Sequence, residues 1–411
     1  MPPAAKQLAQ MLDELGRVTD EPGKLTRTFL SPAMRRANAR VGQWMRGAGL
    51  AVREDSMGNL IGRVEAPTVG AKTLLLGSHL DTVRDAGRFD GALGVLLPIV
   101  ALGELKRRGI ALPFAIEVIG FAEEEGVRFS SAYLGSKGYA GRLRAVDLKF
   151  RDAQGISAGD ALRAFGNGKF SLPPAPHRVR DLLGYIEVHI EQGPVLEAKK
   201  LAVGVVSAIA GQTRGRLTFQ GKAGHAGTTP MHLRRDALAG AAEFILFAET
   251  LARGCEPLVA TVGTAAVAPG APNVIPGEVK LSLDVRHPRN DSRIAALTLL
   301  LDAAKKIARQ RKLSCAWQPT QDNGATTCSP DLTALLEQSN RAVQRRSLSL
   351  VSGAGHDAVV MSTLTPVAML FVRCRDGLSH HPDEFAMPAD LDIALQVVID
   401  FLLRLAKDST Q

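Results

Sequence analysis

Apolar runs of strand length alternate with helical apolar spacing in the first third of the chain. Residues 59–64, 73–76 and 115–121 have strand character, and residues 92–105 between the last two have helical periodicity. Strands separated by a helix predict an α/β layer with a mixed, largely parallel sheet. Because ligands of such sheets bind beyond the carboxyl ends of strands, the residues that follow these runs are the first candidates for function.

The apolar pattern changes near Ala210. From there it predicts a strand, a helix, two strands, a helix and a strand, at residues 216–220, 234–253, 258–267, 278–286, 291–310 and 313–318. This βαββαβ order is typical of a ferredoxin-like domain. Helix-strand-helix texture returns after Ser329, at residues 332–345, 367–372 and 391–405. We therefore predict an α/β domain over residues 1–210 and 327–411, interrupted by a βαββαβ domain over residues 211–326.

Length and composition narrow the class of protein. A chain of 411 residues exceeds the size at which single cores stop growing, which agrees with two domains. The four cysteines are scattered without a C-x-x-C pair, which argues against a disulfide framework and a zinc ribbon. The first residues lack the layout of a signal peptide. Of the uncharged stretches, residues 91–103 are too short to span a bilayer, and residues 257–277 are interrupted by prolines. We expect a cytoplasmic protein without a membrane partner.

The positive charge does not indicate nucleic acid binding. Fifty Lys and Arg against forty-one Asp and Glu give a formal net charge of +9. The basic residues form short groups without interleaved aromatic residues or a recognisable nucleic-acid module, so we interpret them as solvated helix faces. We expect no nucleic acid partner, although a positive field modestly favours an anionic small substrate.

Imidazoles and carboxylates recur in four short motifs, in or after β-like runs. The motifs are G-S-H-L-D-T-V (77–83) with the later Asp90, F-A-E-E-E-G-V-R-F (121–129), V-H-I-E-Q-G (188–193) and G-L-S-H-H-P-D-E (377–384). Each alone has an ordinary structural interpretation, as a turn cap, a solvated acidic face or a loop. Together they favour a divalent transition metal, because mixed imidazole and carboxylate ligands suit Zn, Mn, Co or Ni. Three adjacent carboxylates, at residues 123–125, also repel one another unless a cation or a proton relieves them.

These motifs, in this order and over nearly the whole chain, resemble the M20-type metallo-amidohydrolase superfamily. The resemblance is to the hydantoinase/carbamoylase branch, which contains allantoate amidohydrolases, N-carbamoyl-L-amino-acid hydrolases and β-ureidopropionases. It implies two divalent metal ions per subunit, Zn or Mn with Co or Ni as alternatives. It also implies that the inserted domain is a lid and dimerisation domain, and hence that the protein is a homodimer.

The resemblance implies one shared metal ligand and two pairs of ligands. Asp90 would bridge both ions. The pairs would be His79 with His189 on one ion and Glu125 with His380 on the other.

Further roles follow from the same motifs. Glu124 would be the general base, and Asp81 would orient His79 through the second ring nitrogen. His381 is the alternative to His380, but the family pattern S-H-x-P places the ligand directly after Ser379.

Substrate contacts are implied in both domains. His225 would reach the site of a partner subunit and stabilise the developing oxyanion, while Asn273 and Arg286 would hold the substrate carboxylate, a role that suits the planar fork of Arg. The structural alternatives are a capped loop at His225 and a surface ion pair at Arg286. Gln192 and His356 are candidates for contacts to the ureido or carboxylate end.

A literal G-x-S-x-G occurs at residues 155–159, which is the nucleophile motif of serine hydrolases. The segment before it is polar and not a buried strand, so we interpret Ser157 as a helix N-cap.

The implied activity is hydrolysis of a ureido C–N bond in a small carboxylate substrate. The segments at residues 25–33, 83–94 and 124–129 look more like allantoate amidohydrolases, which convert allantoate to ureidoglycine, ammonia and CO2. The alternative is an N-carbamoyl-L-amino-acid hydrolase or β-ureidopropionase that releases a free amino acid. A distant alternative is a non-catalytic dimeric binding protein on the same scaffold.

Overall fold

The chain folds into two compact units. The computed structural model describes residues 2–166, 168 and 170–409. The first unit comprises Met1–Ser207 and Cys328–Gln411, and the second comprises Ala208–Thr327.

Helices and strands alternate along most of the chain. Up to the end of the first unit's N-terminal part they are α1 (Pro3–Leu15), α2 (Pro32–Ala48), β1 (Ala51–Glu54), β2 (Leu60–Val64), β3 (Thr73–His79), α3 (Ala92–Arg107), β4 (Ala115–Phe121), α4 (Leu134–Tyr139), α5 (Ala158–Phe165), β5 (Leu182–Ile190), α6 (Val195–Lys199) and β6 (Val203–Ile209). The second unit contains β7 (Gly211–Gln220), β8 (Gly224–His225), α7 (Ala237–Arg253), β9 (Val259–Thr261), β10 (Ala265–Ala268), β11 (Val274–Ile275), β12 (Glu278–His287), α8 (Asn290–Gln310) and β13 (Ser314–Asn323). The chain ends with β14 (Thr326–Thr327), α9 (Pro330–Gln344), β15 (Ser349–Ser352), α10 (Asp357–Met361), β16 (Val367–Val372) and α11 (Pro388–Asp408).

The nine-stranded sheet has a parallel centre. Its order is β1-β2-β4-β3-β5-β16-β6-β14, with β15 also paired to β6. The central strands β4, β3, β5 and β16 run parallel, whereas the outer pairs are antiparallel. The predicted α/β class with a mixed, largely parallel sheet is confirmed. Because the central strands point the same way, their carboxyl ends meet at one edge, and the metal motifs follow them there.

The second unit is a ferredoxin-like layer. Its antiparallel sheet has the order β10-β12-β7-β13, with β9 also paired to β12, and α7 and α8 pack on it through a shared apolar core. This is the predicted βαββαβ fold, with one correction. Residues 258–267, predicted as one strand, form β9 and β10 instead. Between these two strands, residues 262–264 face only residues 282 and 283 of β12, and such an extra residue interrupts a ladder as in a β-bulge.

Two helices begin at serine N-caps, and the one at Ser157 was predicted from the sequence. The Ser31 hydroxyl accepts the N–H of Met34 at 3.1 Å, and the Ser157 hydroxyl accepts the N–H of Asp160 at 3.1 Å. The G-x-S-x-G segment is therefore the start of α5 and not a nucleophile turn. In the described part of the chain, no helix combines the length and apolar character needed to cross a bilayer.

Helix α3 approaches the sheet unusually closely at its first turn. A β-carbon added at Gly94 would lie 2.2 Å from the backbone oxygen of Val188 in β5 and 2.6 Å from the Cβ of Ser78 in β3. Only glycine lets the helix start this close to two central strands. Since Asp90 immediately precedes α3, this contact helps to set its position at the sheet edge.

We predict opposite effects for two alanine substitutions within α3. Alanine stabilises a helix over glycine by about 1 kcal/mol, but in Gly94→Ala the clash with backbone should reverse the sign and destabilise by about 1–3 kcal/mol. At Gly103 the nearest neighbour of a new Cβ is the Cβ of Ala48 at 3.7 Å, an ordinary contact, so Gly103→Ala should be neutral or stabilising. Urea unfolding monitored by circular dichroism measures both, and a Gly94→Ala protein as stable as wild type would contradict the packing argument.

Candidate metal and catalytic site

Side chains from the ends of the four central strands meet around Asp90, which lies just before α3. His79 is the last residue of β3, Glu124 and Glu125 follow β4, His189 lies near the end of β5, and His380 follows β16. Two groups of potential ligand atoms, each within 4.8 Å of one another, share Asp90: His79 with Asp90 and His189, and Asp90 with Glu125 and His380.

The Asp90 carboxylate faces a different set of imidazoles with each oxygen. Its Oδ1 lies 3.4 Å from Nε2 of His79 and 3.1 Å from Nε2 of His189. Its Oδ2 lies 3.3 Å from Nε2 of His380, and that nitrogen is 3.7 Å from Oε1 of Glu125. One carboxylate therefore joins the two groups.

The hydrogen bonds of the ring nitrogens test whether this site fits a cation. Nδ1 of His79 lies 3.0 Å from the Asp81 carbonyl, and Nδ1 of His189 lies 2.9 Å from the Ile190 carbonyl. A carbonyl only accepts, so each Nδ1 carries a proton, and in the neutral ring each Nε2 then keeps its lone pair. Both lone pairs face Asp90 Oδ1, a buried atom without a hydrogen-bond partner among the described residues. Such a set of facing lone pairs fits a bound cation.

The pKa values show the same demand for positive charge. Burial, together with the nearby Asp90 charge, raises the pKa of Glu125 to about 7. Burial likewise raises the pKa of Glu124 well above its ordinary value. A hydrogen bond to Asp90 raises the pKa of His380 to about 9. Without metal the cluster therefore retains protons, and a divalent cation would displace them on binding.

Asp81 supports the cluster from beside it. Its carboxylate accepts the N–H of Glu124 at 2.9 Å and that of Glu125 at 3.2 Å, and its Oδ1 also lies 3.3 Å from Nδ1 of His79. One buried side chain thus ties the turn after β4 to the end of β3.

The three adjacent glutamates have different environments. Glu123 turns away from the cluster and accepts the N–H groups of Gly126 and Leu134. Only Glu124 and Glu125 join a group of potential ligand atoms, with His79. The repulsion expected among all three carboxylates is therefore reduced by backbone donors at Glu123.

The two histidines after Ser379 also separate. The structure brings His380 to Asp90 and Glu125, whereas Nδ1 of His381 lies 3.6 Å from an Asp383 oxygen, although both side chains are exposed. His380 has a φ of +57°, which is uncommon for a residue other than glycine and typical of functional sites.

Gln192 and His356 both contact the ligand cluster. Gln192, with φ at +56°, donates from Nε2 to Asp90 Oδ2 at 2.9 Å. His356 is buried, its ring centroid is 4.5 Å from that of His189, and its Nε2 lies 2.8 Å from the Ser352 hydroxyl. Burial lowers the pKa of His356 well below its ordinary value, so it is a neutral ring packed behind His189.

The remaining sequence candidates, His225, Asn273 and Arg286, belong to the second unit. Nδ1 of exposed His225 accepts the N–H groups of Gly227 and Thr228 at 3.1 and 3.2 Å, which leaves the proton of the neutral ring on Nε2. Asn273 lies beside it, since its carbonyl accepts the N–H of Ala226 at 2.9 Å and β8 pairs with β11.

Arg286 lies in β12 of the second unit. Its guanidinium contacts the Asp284 carboxylate through Nε at 3.0 Å and Nη2 at 2.8 Å.

Two buried acids at the site were not assigned from the sequence. Glu187 accepts the Ser78 hydroxyl at 2.7 Å and the N–H of Ala358 at 2.9 Å. It precedes His189 by two residues in β5, and side chains two residues apart in a strand point to the same face of the sheet. This spacing could have predicted that Glu187 lies on the same face as His189. Glu384 lies within the quoted motif G-L-S-H-H-P-D-E, where an acid shortly after proline was the available signal.

Comparisons with known proteins agree with this geometry. The model of the peptidase family M20/M25/M40 matches residues 75–404. The chain belongs to this family. Allantoate deiminase 2 of Glycine max is 41% identical, with 96% of this chain and 88% of the relative covered. An N-carbamoyl-L-amino acid amidohydrolase of Geobacillus stearothermophilus is 39% identical, with 98% of each chain covered.

A solved structure places the chain in one branch of the family. The crystal structure of a hydantoinase/carbamoylase family amidase from Burkholderia multivorans has a TM-score of 0.92 and 32% identity, with 98% of each chain covered. The chain is thus a hydrolase of the allantoate amidohydrolase and N-carbamoylase type, which acts on linear amide C–N bonds.

We predict that divalent metal stabilises the protein through Asp90. Added Mn²⁺ or Zn²⁺ should raise the melting temperature, and a free concentration one hundred times Kd corresponds to about 2.7 kcal/mol. Asp90→Asn should abolish the shift, because the neutral amide has only one oxygen and cannot contribute a ligand atom to both groups. Asp383→Asn is the control, since Asp383 is exposed and lies beside His381. Differential scanning fluorimetry measures the shift, and an undiminished shift in Asp90→Asn would count against the site.

Proposed function

We propose that the chain is a metal-dependent amidohydrolase with two divalent ions per subunit, which hydrolyses the ureido C–N bond of allantoate. The observation that carries the proposal is the sharing of Asp90 between two groups of potential ligands. In this proposal His79 and His189 would hold one ion, Glu125 and His380 would hold the other, and Asp90 would contribute to both sites. Mn and Zn both suit this donor set, with Co and Ni as further candidates.

Glu124 is the proposed general base. Its backbone is fixed by Asp81, and its carboxylate lies beside His79 and Glu125 in the same group. Divalent ions, when bound, supply the Lewis acidity that makes water nucleophilic near neutral pH and polarises a carbonyl. Glu124 accepts the proton of the attacking water and delivers it to the leaving nitrogen. Burial raises the pKa of Glu124, which helps this carboxyl group to hold the proton between the two steps.

The second unit is proposed to act as lid and dimerisation domain, with boundaries at residues 211–326. The free Nε2–H of His225 supports its role as an oxyanion donor in the site of a partner subunit. Asn273 and Arg286 would hold the substrate carboxylate, with Arg286 kept in orientation by Asp284. A homodimer in the cytoplasm is the assembly and location proposed. Gln192 donates a hydrogen bond to the Asp90 carboxylate, and this contact would orient the Gln192 side chain toward the substrate.

Two substrates follow from the relatives. The allantoate deiminases of Glycine max and the N-carbamoyl-L-amino-acid amidohydrolases have similar identity to this chain, near 40%. Both names describe ureido compounds, which supports that bond as the target. The segments at residues 25–33 and 83–94 favour allantoate. The second candidate is an N-carbamoyl-L-amino acid, supported by the coverage of 98% of each chain in the Geobacillus relative.

A substrate panel with one substitution tests the activity. Wild type with Mn²⁺ should release ammonia from allantoate faster than from N-carbamoyl-L-amino acids or N-carbamoyl-β-alanine. Glu124→Gln should keep the metal-dependent melting shift but lower kcat by roughly 10²- to 10⁴-fold, because proton transfer is lost. Ammonia is measured by a coupled enzymatic assay. Retained turnover in Glu124→Gln would sink the base assignment, and no release from any of the substrates would sink the proposed function.

Subunit complementation tests His225. If it serves the partner's site, His225→Ala and Glu124→Gln are each inactive, but a mixed dimer contains one complete site. Coexpression with random pairing should then restore roughly a quarter of wild-type activity, since half of the dimers are mixed and each has one working site of two. If His225 serves its own subunit, no mixed site is complete and activity stays at the level of the single variants. Separately purified variants assayed without exchange are the control.

A further inference from the structure

Glu384 is a buried acid beside the proposed metal ligands. Its carboxylate contacts backbone N–H groups and a serine hydroxyl, and no side chain of a proposed ligand. It is 2% exposed and lies in the loop between β16 and α11, four residues after His380. Its Oε1 accepts the N–H of Phe89 at 2.8 Å and the N–H of Asp90 at 3.1 Å. The two loops that it joins are separated by 294 residues along the chain.

The second oxygen of Glu384 reaches Asp90 by another route. Its Oε2 lies 3.0 Å from the Ser379 hydroxyl, and that hydroxyl lies 2.8 Å from Oδ2 of Asp90. Glu384 therefore holds Asp90 directly at its main-chain N–H. It also lies against the Ser379 hydroxyl, whose single proton is shared between the carboxylates of Glu384 and Asp90. Fixing both ends of this short residue leaves its carboxylate little freedom to rotate.

The loop before Asp90 is shaped to admit this side chain. A β-carbon added at Gly87 would lie 2.3 Å from Cβ and 2.4 Å from Oε1 of Glu384. Gly87 does not have a positive φ, so its backbone conformation would allow other residues. The close packing against Glu384 is what excludes a larger residue there. Gly87 and Glu384 thus form one contact between the loop after β3 and the loop after β16.

We propose that Glu384 is a positioning residue that sets the Asp90 carboxylate for metal binding. The proposal rests on the proposed function, in which Asp90 is the shared ligand. The same loop brings His380 to the cluster, so the grip of Glu384 on Phe89 and Asp90 also fixes the separation of these two ligands. Partners that orient metal ligands in this way typically contribute tenfold to a hundredfold in metal affinity.

The test is titration of Mn²⁺ into the full-length, chelator-stripped protein by isothermal titration calorimetry. Glu384→Ala removes all three hydrogen bonds and should weaken Mn²⁺ binding by roughly tenfold to a hundredfold. Glu384→Gln should bind Mn²⁺ nearly as wild type, because its amide oxygen can accept both N–H groups and its NH2 can donate to Ser379. Gly87→Ala should also weaken binding, since it displaces Glu384 without touching Asp90.

Asp152→Ala is the matched control. Asp152 is 9% exposed and accepts two backbone N–H groups, from Gln154 at 3.1 Å and Ile156 at 2.9 Å, in a loop before α5. It also pairs with Arg128 at 3.1 Å. It should lose stability in metal-free thermal unfolding but keep wild-type Mn²⁺ affinity. With Co²⁺ in place of Mn²⁺, the visible absorption of Glu384→Ala should differ from wild type, because the ligand geometry changes, while that of Asp152→Ala should not.

Wild-type Mn²⁺ affinity in Glu384→Ala would overturn the proposal. Equal losses of Mn²⁺ affinity in Glu384→Ala and Glu384→Gln would also overturn it, because the effect would then come from the charge of Glu384 and not from its hydrogen bonds. If Glu384→Ala does not fold, Gly87→Ala and Ser379→Ala decide, and unchanged affinity in both overturns it. The titration needs no substrate, so the two proposals fail separately. Affinity changes without ureido hydrolysis reject only the proposed reaction, and hydrolysis with unchanged affinity rejects only the role of Glu384.

Discussion

The carboxylate of Asp90 is shared by three imidazoles, and most of the first unit is arranged to make that sharing possible. Three ring nitrogens lie within 3.4 Å of its two oxygens, at the edge where four parallel strands end. When the two rings whose Nδ1 meets a carbonyl are neutral, the atoms that face Asp90 are lone pairs. Burying such a set is costly unless a cation or protons occupy it. The fold therefore holds together a group of atoms that repel one another in the absence of positive charge.

Main-chain contacts oppose this repulsion. Asp81 accepts the two N–H groups of the turn after β4, and Glu384 accepts those of Phe89 and Asp90. Gly94 allows α3 to start against the backbone of β5. These contacts act on backbone, which moves less than side chains, so the ligand positions are set before any ion binds. Preorganisation of this kind lets binding energy go to the ion and not to rearrangement of the loops.

Membership of the family and the geometry of the site support each other from independent directions. The family match spans residues 75–404, and a hydantoinase/carbamoylase amidase shares the fold with a TM-score of 0.92. The structure supplies what a likeness cannot: in the first unit an acid, Glu124, whose backbone N–H is held by Asp81, and in the second unit a histidine, His225, whose neutral ring carries its proton on Nε2. Relatives with two different substrate names are similarly close to this chain, so overall identity does not distinguish between the two substrates.

The sequence by itself determined the elements with strong local signals. Strands β4 and β16 have the predicted bounds, because a run that is apolar throughout β16, and apolar except at Glu117 in β4, marks a strand buried on both faces. The motif residues at the ends of these strands were expected together, since parallel strands end at one edge.

Tertiary structure decided what depends on contacts between distant residues. Polar Glu187 and His189 interrupt the apolar signal of β5, which nevertheless lies at the centre of the sheet. The different directions of Glu123 and Glu124, the separation of His380 from His381, and the contact of Glu384 with Phe89 arise from loop geometry across as many as 295 residues. A local pattern encodes which faces are buried, whereas these hydrogen bonds exist only after the sheet has brought the loops together.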